Sequence, residues 1–291
     1  MMLTTNIILS LAFLSVTFAA NNFVGLTASN AIGGRSPYTC RTQAQWNDLA
    51  NTARNSGFKT IRILGFDCGA LNMASNAAAA ANLQVLAGIF FDGSVAGANG
   101  QIDNEVRSFQ SAVQQFGASR YVGLTIGNEN SDDPNNIINK VNQVRNTLRS
   151  AGINTPVSTV HSWFNIINAR VLCNGDFVGA NAHAFFDPNT AAGNSGNFLT
   201  QTVIPALRNA CGNKKIMITE TGWPSRGGSN GAGVASLDNE RAALAALNCA
   251  SGSIPDVSVF AFEYDDQTWK GNDNERSFGI FPKFNNGVPS C

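Results

Sequence analysis

Eight short apolar runs, separated by stretches of helical period, constrain the folds open to this chain more than any other feature. They occupy residues 23–28, 60–64, 83–90, 121–127, 156–160, 177–182, 215–219 and 257–262. Most are near-continuously apolar and do not alternate with polar residues, which is how strands buried on both faces of a parallel sheet read. Between them, Ile102, Val106, Phe109, Val113 and Phe116 recur at steps of four, three, four and three, the period of an amphipathic helix. Ile137, Val141, Val144 and Leu148 repeat the pattern behind Pro134, and Trp46, Leu49, Ala50 and Ala53 do so after the first run. The other connectors are weaker: 70–81 is alanine-rich, 165–173 is short, 199–207 contains Pro205, and 236–250 is rich in Ala and Leu. No long helix is expected after the eighth run.

Eight strands alternating with helices over about 270 residues predict a single-domain α/β fold, a (β/α)8 TIM barrel with a short or missing last helix. An open doubly wound sheet is the alternative, but neither Gly-x-Gly-x-x-Gly nor a phosphate-binding loop is present to support it. The chain carries 19 Lys+Arg against 19 Asp+Glu and no run of basic residues. Binding nucleic acid or anionic lipid needs a basic patch, so this balance points to a neutral substrate and to no nucleic-acid partner.

Residues 7–20 are almost wholly apolar and end in Ala19-Ala20, which reads as a secretory signal peptide over 1–20 ahead of a catalytic domain over 21–291. No Lys or Arg precedes the stretch, so an N-terminal anchor or a buried strand is the alternative; a membrane span needs roughly 20 apolar residues. The mature protein is thus expected to be extracellular, without a membrane span and monomeric. Six cysteines, Cys40, Cys68, Cys173, Cys211, Cys249 and Cys291, form no Cys-x-x-Cys pair and suit disulfides in an oxidising compartment. Cys40 and Cys68 follow adjacent strands, Cys173 and Cys211 precede adjacent strands, and Cys249 with Cys291 would tie the C-terminal end. No Asn-x-Ser/Thr sequon occurs.

Catalytic groups of such barrels sit at the C-terminal ends of the strands. The fourth run ends in Asn128-Glu129, and the seventh in Glu220-Thr221-Gly222-Trp223-Pro224-Ser225. A carboxylate where a buried strand ends is costly unless it is paired or used, so either glutamate alone reads equally as a salt bridge or a helix cap. Two of them on nonadjacent strands facing one cleft match the pair of carboxyls that glycoside cleavage requires. With His161 and His183 the only histidines, a His-rich metal site is excluded and neither a metal nor a cofactor is expected.

These motifs resemble glycoside hydrolase family 17, whose members act on β-1,3-glucans. Glu220-Thr-Gly-Trp-Pro-Ser225 with Arg226-Gly-Gly228 is similar to that family's nucleophile signature, and Ile126-Gly-Asn-Glu129 to its acid/base segment. Glu275-Arg-Ser-Phe-Gly-Ile-Phe281 and Phe23-Val-Gly-Leu26 extend the likeness over essentially the whole mature chain. The resemblance implies a retaining mechanism with Glu129 as acid/base and Glu220 as nucleophile. It implies further that Asn128 bonds the sugar 2-hydroxyl and that Lys270 and Glu275 belong to an ion-pair network bordering the cleft. Asn181 through Phe186 matches a family segment where Tyr or Phe usually stands in place of His183, and Gln267 stands where relatives often have Glu. Asn181 and His183 are candidates for the sugar site; His183 reads equally as a partner of a catalytic carboxylate or as an ordinary satisfied histidine. Asp67 and Asp92 are candidates for sugar hydroxyls. Trp163, Phe186, Trp223, Tyr264 and Trp269 all follow strands and are candidates for stacking on apolar sugar faces, with plain packing as the other reading. The fungal wall-type members it resembles include glucanosyltransferases, so endo-hydrolysis and transfer both stay open, with a catalytically idle glucan-binding wall protein as the rival from another class.

Overall fold

The computed structural model describes residues 21–284 and 287–291. The expected leader over 1–20 lies outside the described residues. Eight strands close into one barrel: β1 (Gly25–Ala28), β2 (Thr60–Ile63), β3 (Gln84–Ile89), β4 (Tyr121–Asn128), β5 (Val157–Ser162), β6 (Val178–Asn181), β7 (Ile216–Thr221) and β8 (Ser258–Phe262). Each is parallel to both neighbours, and β8 pairs with β1, which excludes the open sheet. All eight apolar runs became barrel strands, their ends displaced by a few residues at most.

The outer ring holds α1 (Gln43–Asn55), α2 (Ala70–Ala80), α3 (Val95–Phe116), α4 (Pro134–Ser150), α5 (Trp163–Asn168), α6 (Ile204–Cys211) and α7 (Leu237–Ser253). Thr42 caps α1 in a reciprocal box with Gln45, and Pro134 opens α4, where its missing N–H is not needed. Helix α3 begins well before Ile102, at Val95, with the Ser94 hydroxyl accepting from Gly97 N–H at 3.1 Å. Its first turns contain Gly97 and Gly100, which weakens the apolar period there. Ahead of Pro205 the chain passes through a π-helical segment, Phe198–Val203. After β8 no helix forms among the described residues; the tail folds back over the barrel and is bonded through Cys249–Cys291. Cys40–Cys68 and Cys173–Cys211 are the other two disulfides, the pairing that strand adjacency suggested.

Most of the core lies between barrel and helices, with Trp46, Leu49, Ile61, Phe109 and Leu124 at 0% exposure. A smaller cluster of Leu86, Phe177, Met217 and Phe260 is separate from it. Gly25 faces the Phe260 ring so closely that an added Cβ would sit 2.1 Å from it, so the small residue on β1 makes room for the large one on β8. No described helix is long and apolar enough to cross a membrane.

Candidate active site

The C-terminal ends of β2, β4, β6 and β7 bring six polar groups together. Strand β2 reads Thr-Ile-Arg-Ile, and its Arg62 is 1% exposed. A guanidinium buried in this way needs acceptors. Its Nη1 donates to Glu220 Oε1 at 2.6 Å and to the Thr219 carbonyl at 3.3 Å, and its Nη2 to Asn128 Oδ1 at 2.8 Å. One planar fork therefore ties the nucleophile candidate on β7 to the end of β4.

Strand β4 loses register against β5 between Thr125 and Asn128, and Gly127 and Glu129 both take positive φ, +79° and +52°. Left-handed backbone at a glutamate is disfavoured by about 1 kcal/mol or more, and it is held here by Glu129 N–H donating to the Val160 carbonyl at 2.8 Å. The irregularity carries the Glu129 carboxyl into the cavity that Glu220 lines. Asn181, at the end of β6, donates from Nδ2 to Glu129 Oε1 at 3.1 Å and to Asn128 Oδ1 at 3.3 Å, and its Oδ1 accepts from the Thr219 hydroxyl at 2.8 Å. His183 Nε2 lies 3.3 Å from Glu220 Oε2.

These neighbours push the two carboxyls in opposite directions. Burial raises Glu129, the nearby Glu220 charge raises it further, and the Asn181 bond only partly opposes them, so its carboxyl holds a proton above the ordinary range. Burial would raise Glu220 as well, but the Arg62 charge, the His183 bond and the Arg62 bond outweigh it and bring this carboxyl down to about 2. Two chemically identical side chains thus become an acid and an anion.

The cleft has two chambers that meet at Phe262. The larger, about 700 Å³, is lined by Glu129, Glu220, Asn181 and His183 and by an apolar wall that includes Trp163 and Phe186; Glu275 is also on its border. The smaller, about 350 Å³, holds Asp67, Trp269, Lys270 and Glu263. There Tyr38 donates its hydroxyl to Asp67 Oδ2 at 2.6 Å and stands edge-on to Trp269, ring centroids 4.9 Å apart. Glu263, 1% exposed, pairs with Lys270 Nζ at 2.6 Å, and that nitrogen is 4.8 Å from the Phe262 ring centre. Burial pushes Glu263 up to about 7 against the opposing Lys270 charge.

Of the residues singled out in the sequence, Glu129, Glu220, Asn181, His183, Trp163, Phe186 and Glu275 meet in the larger chamber, and Asp67, Trp269 and Lys270 in the smaller. Asn128 lies between the catalytic candidates, with its Oδ1 held by Arg62 and Asn181. Two aromatic candidates are corrected. Trp223 is fully buried, packs edge-on to Phe185 and donates its indole N–H to the Val234 carbonyl at 3.0 Å, so no face is open to a ligand. Tyr264 lines neither chamber; its ring lies against the Arg41 guanidinium at 5.3 Å and Phe281 at 5.5 Å. Its backbone N–H donates to Thr27 at the end of β1, which directs the side chain toward that outer layer. Asp92 is exposed and also lines neither chamber.

In the network beside the cleft Lys270 pairs directly with Glu263, and the Glu275 charge also acts on it. Gln267, fully buried, holds Asp265 Oδ1 through its amide at 2.7 Å and accepts from Trp269 Nε1 at 2.8 Å. Sequence reasoning missed Arg62, although an arginine inside an apolar strand was a readable signal of a buried counter-charge. It also missed Tyr38 and Phe90 beside the smaller chamber and Phe164 beside the larger; these lie in loops or just after strands, where sequence gives no direction to a side chain. Among the described residues no group of three or more His, Cys, Asp or Glu could hold a metal ion.

Residues 27–279 match the family described as the BtgE/BtgC glycoside hydrolase domain. The chain belongs to that family. Among the relatives of this BtgE/BtgC-type barrel are the "Cell surface mannoprotein MP65" of Candida albicans, 34% identical over 84% of this chain, and the "Probable family 17 glucosidase SCW4" of Saccharomyces cerevisiae, 32% identical over 77% of it. The chain spans 65% and 56% of the lengths of those two proteins. The family 17 likeness read from the two glutamate motifs agrees with these matches. The same barrel is found in a family 17 β-1,3-glucanosyltransferase from Rhizomucor miehei, with a TM-score of 0.75, 22% identity and coverage of 92% of this chain and 95% of that one. An active-site mutant of that enzyme has been solved in complex with laminaritriose.

Proposed function

We propose that this BtgE/BtgC-type barrel cleaves β-1,3-glucan with retention, through a covalent glucosyl-enzyme intermediate. The observation that carries the reading is two carboxyls facing one chamber in opposed settings: Glu220 is buried and held as the anion by Arg62, while Glu129, open to the chamber, is bonded by Asn181 and raised. In the first step Glu220 attacks the anomeric carbon while Glu129 gives its proton to the departing glycosidic oxygen. In the second step Glu129 takes the proton of the incoming hydroxyl, whose oxygen bonds the anomeric carbon as the bond to Glu220 breaks. The Glu220 charge reaches Glu129 and raises it, as expected where two carboxyls are held close together; retaining enzymes keep them about 5–5.5 Å apart. Asn181 holds the Glu129 carboxyl, and Asn128, itself held by Arg62 and Asn181, stands beside it near the sugar ring.

The substrate class is supported by the matched relatives and by the cleft itself. Exposed rings border both chambers, Tyr38, Phe90 and Trp269 on one side and Phe164 and Phe186 on the other. Glucose rings present apolar faces that stack on such platforms. A cleft with chambers on both sides of Phe262 accommodates a chain interior, so cleavage is of the endo type. Water as the second-step acceptor gives hydrolysis, and a second glucan gives transfer. We read 1–20 as a leader removed near Ala20, leaving a secreted, wall-associated monomeric domain over 21–291 that works without a cofactor; N-terminal sequencing and sizing of the secreted protein test this.

The functional test is a time course of purified protein with a β-1,3-gluco-oligosaccharide, resolving product lengths, beside Glu220→Gln. Shorter products alone mean hydrolysis, longer ones mean transfer, and both vanish in the variant. A Glu220→Gln protein that keeps full activity, or a wild type inert on every β-1,3-glucan, overturns the reading.

A further inference from the structure

The two oxygens of Glu220 are held differently. Oε1 accepts from Arg62 at 2.6 Å, on a cation that lines neither chamber. Oε2 has His183 Nε2 at 3.3 Å, and His183 lines the larger chamber together with Glu129. The oxygen beside the chamber is the one free to meet an anomeric carbon. Oε2 is therefore the attacking oxygen, and His183 is the group that accompanies it.

The surroundings of His183 also fix which of its nitrogens carries the proton. Nδ1 is buried and has no partner among the described residues. The imidazole stands edge-on to three rings, Phe262 at 5.0 Å, Phe278 at 5.2 Å and Phe186 at 5.9 Å. An N–H at Nδ1 would be a buried donor without an acceptor, whereas a bare lone pair there costs less. Glu220, being an anion, can only accept. The tautomer that satisfies both conditions has its proton on Nε2.

We propose that His183 is a positioning residue that assists the second step, by donating from Nε2–H to Glu220 Oε2 as that oxygen leaves the sugar. The inference rests on the retaining reading above. In the first step the Oε2–C1 bond forms, the glycosidic C1–O bond breaks, and the Glu129 proton goes to the departing oxygen. Oε2 gives up charge in that step, so a donor on it stabilises the start and adds nothing to the transition state. In the second step an acceptor oxygen bonds C1, its proton passes to Glu129, and the electron pair of the C1–Oε2 bond returns to Oε2. The returning charge strengthens the His183 bond as the transition state is approached, and only a bond that strengthens accelerates a step.

The experiment compares His183→Gln with His183→Asn on an aryl β-laminaribioside that carries a good leaving group, so that the second step limits kcat. The Gln amide reaches where Nε2 lies, and the Asn amide only where Nδ1 lies. His183→Gln is expected to keep kcat within about twofold. His183→Asn is expected to lose about tenfold in kcat, with KM falling alongside and a burst of aryl alcohol approaching one per enzyme. Circular dichroism and melting curves show that both are folded, and packing alone would not separate the two amides in burst amplitude. Equal kcat and no burst in His183→Asn, or equal losses in both variants, overturns the inference while the retaining reading stands. A wild type that neither releases the aryl alcohol nor becomes covalently labelled at Glu220 overturns the retaining reading, and the inference with it.

Discussion

Removing the Arg62 charge is the sharpest perturbation of this site. Arg62 and Glu220 form a buried pair, with side chains 1% and 8% exposed, and the Arg62 charge is the largest of the effects that bring Glu220 from 4.5 to about 2. That displacement corresponds to about 3 kcal/mol in favour of the anion. In Arg62→Met the apolar stem is kept and the charge removed, so burial acts on Glu220 with only His183 to oppose it. The carboxyl then rises above its ordinary value, and in the mechanism we propose a protonated Glu220 cannot attack. The acid limb of the kcat/KM profile is expected to move up by two or more pH units, with about a hundredfold loss at pH 4 to 5 and a smaller loss near pH 7. Arg62→Lys, which keeps a point charge, should recover part of it. The pair also affects stability: a depressed carboxyl stabilises the fold above pH 4.5, a contribution lost as pH falls from there toward about 2. Leaving Glu220 buried without Arg62 should lower stability by about 3 kcal/mol, read by denaturant melts at pH 6. An Arg62→Met enzyme whose acid limb does not move would refute the assignment of Arg62 as the group that keeps the nucleophile ionised.

Glu129→Gln should cut kcat/KM on a glucan by about 10²–10⁴ and abolish the basic limb, with far less effect on a substrate whose leaving group needs no proton. Phe186, 51% exposed at the larger chamber, should matter for sugar stacking: Phe186→Ala is expected to raise KM several-fold, for a loss of about 1 kcal/mol, with the melting curve unchanged. Trp223→Phe removes a buried hydrogen bond and part of a fully buried ring, so about 2 kcal/mol or more of stability should go while KM stays fixed; a changed KM would return Trp223 to the substrate surface. Glu240, buried on α7 beside Lys283, Asp266 and Arg226, is pushed up to about 8 mainly by burial against the Lys283 charge. A carboxyl raised in the folded state stabilises at low pH, so stability should fall as pH rises from 4.5 toward 8, and Glu240→Gln should flatten that slope in melts taken across the window.

The outline of the site was legible because each catalytic candidate ends an apolar run. A charge at the end of a buried strand is a local feature, and both glutamates stand in sequence where the barrel delivers them in space. The aromatic candidates were less legible for a definable reason. Trp223 follows β7 almost at once and Trp269 comes later, in the loop after β8, yet the first is sealed under Phe185 and the second borders a chamber. Which side of the chain a loop residue presents depends on backbone bonds such as Tyr264 N–H to Thr27, made by partners more than two hundred residues away.

Local periodicity and strand order in the chain were enough to predict eight strands, the nearness of Cys40 to Cys68 and two carboxyls at strand ends, whereas the β8–β1 pairing closed the barrel. The difference between those carboxyls arises only in the folded chain. Glu129 and Glu220 have the same chemistry, and nothing adjacent in the chain distinguishes acid from anion. The distinction comes from Arg62 on β2, Asn181 on β6 and the backbone turn at Glu129, groups brought together when the sheet closes. Electrostatics acts through distance in space, and closure of the barrel sets those distances.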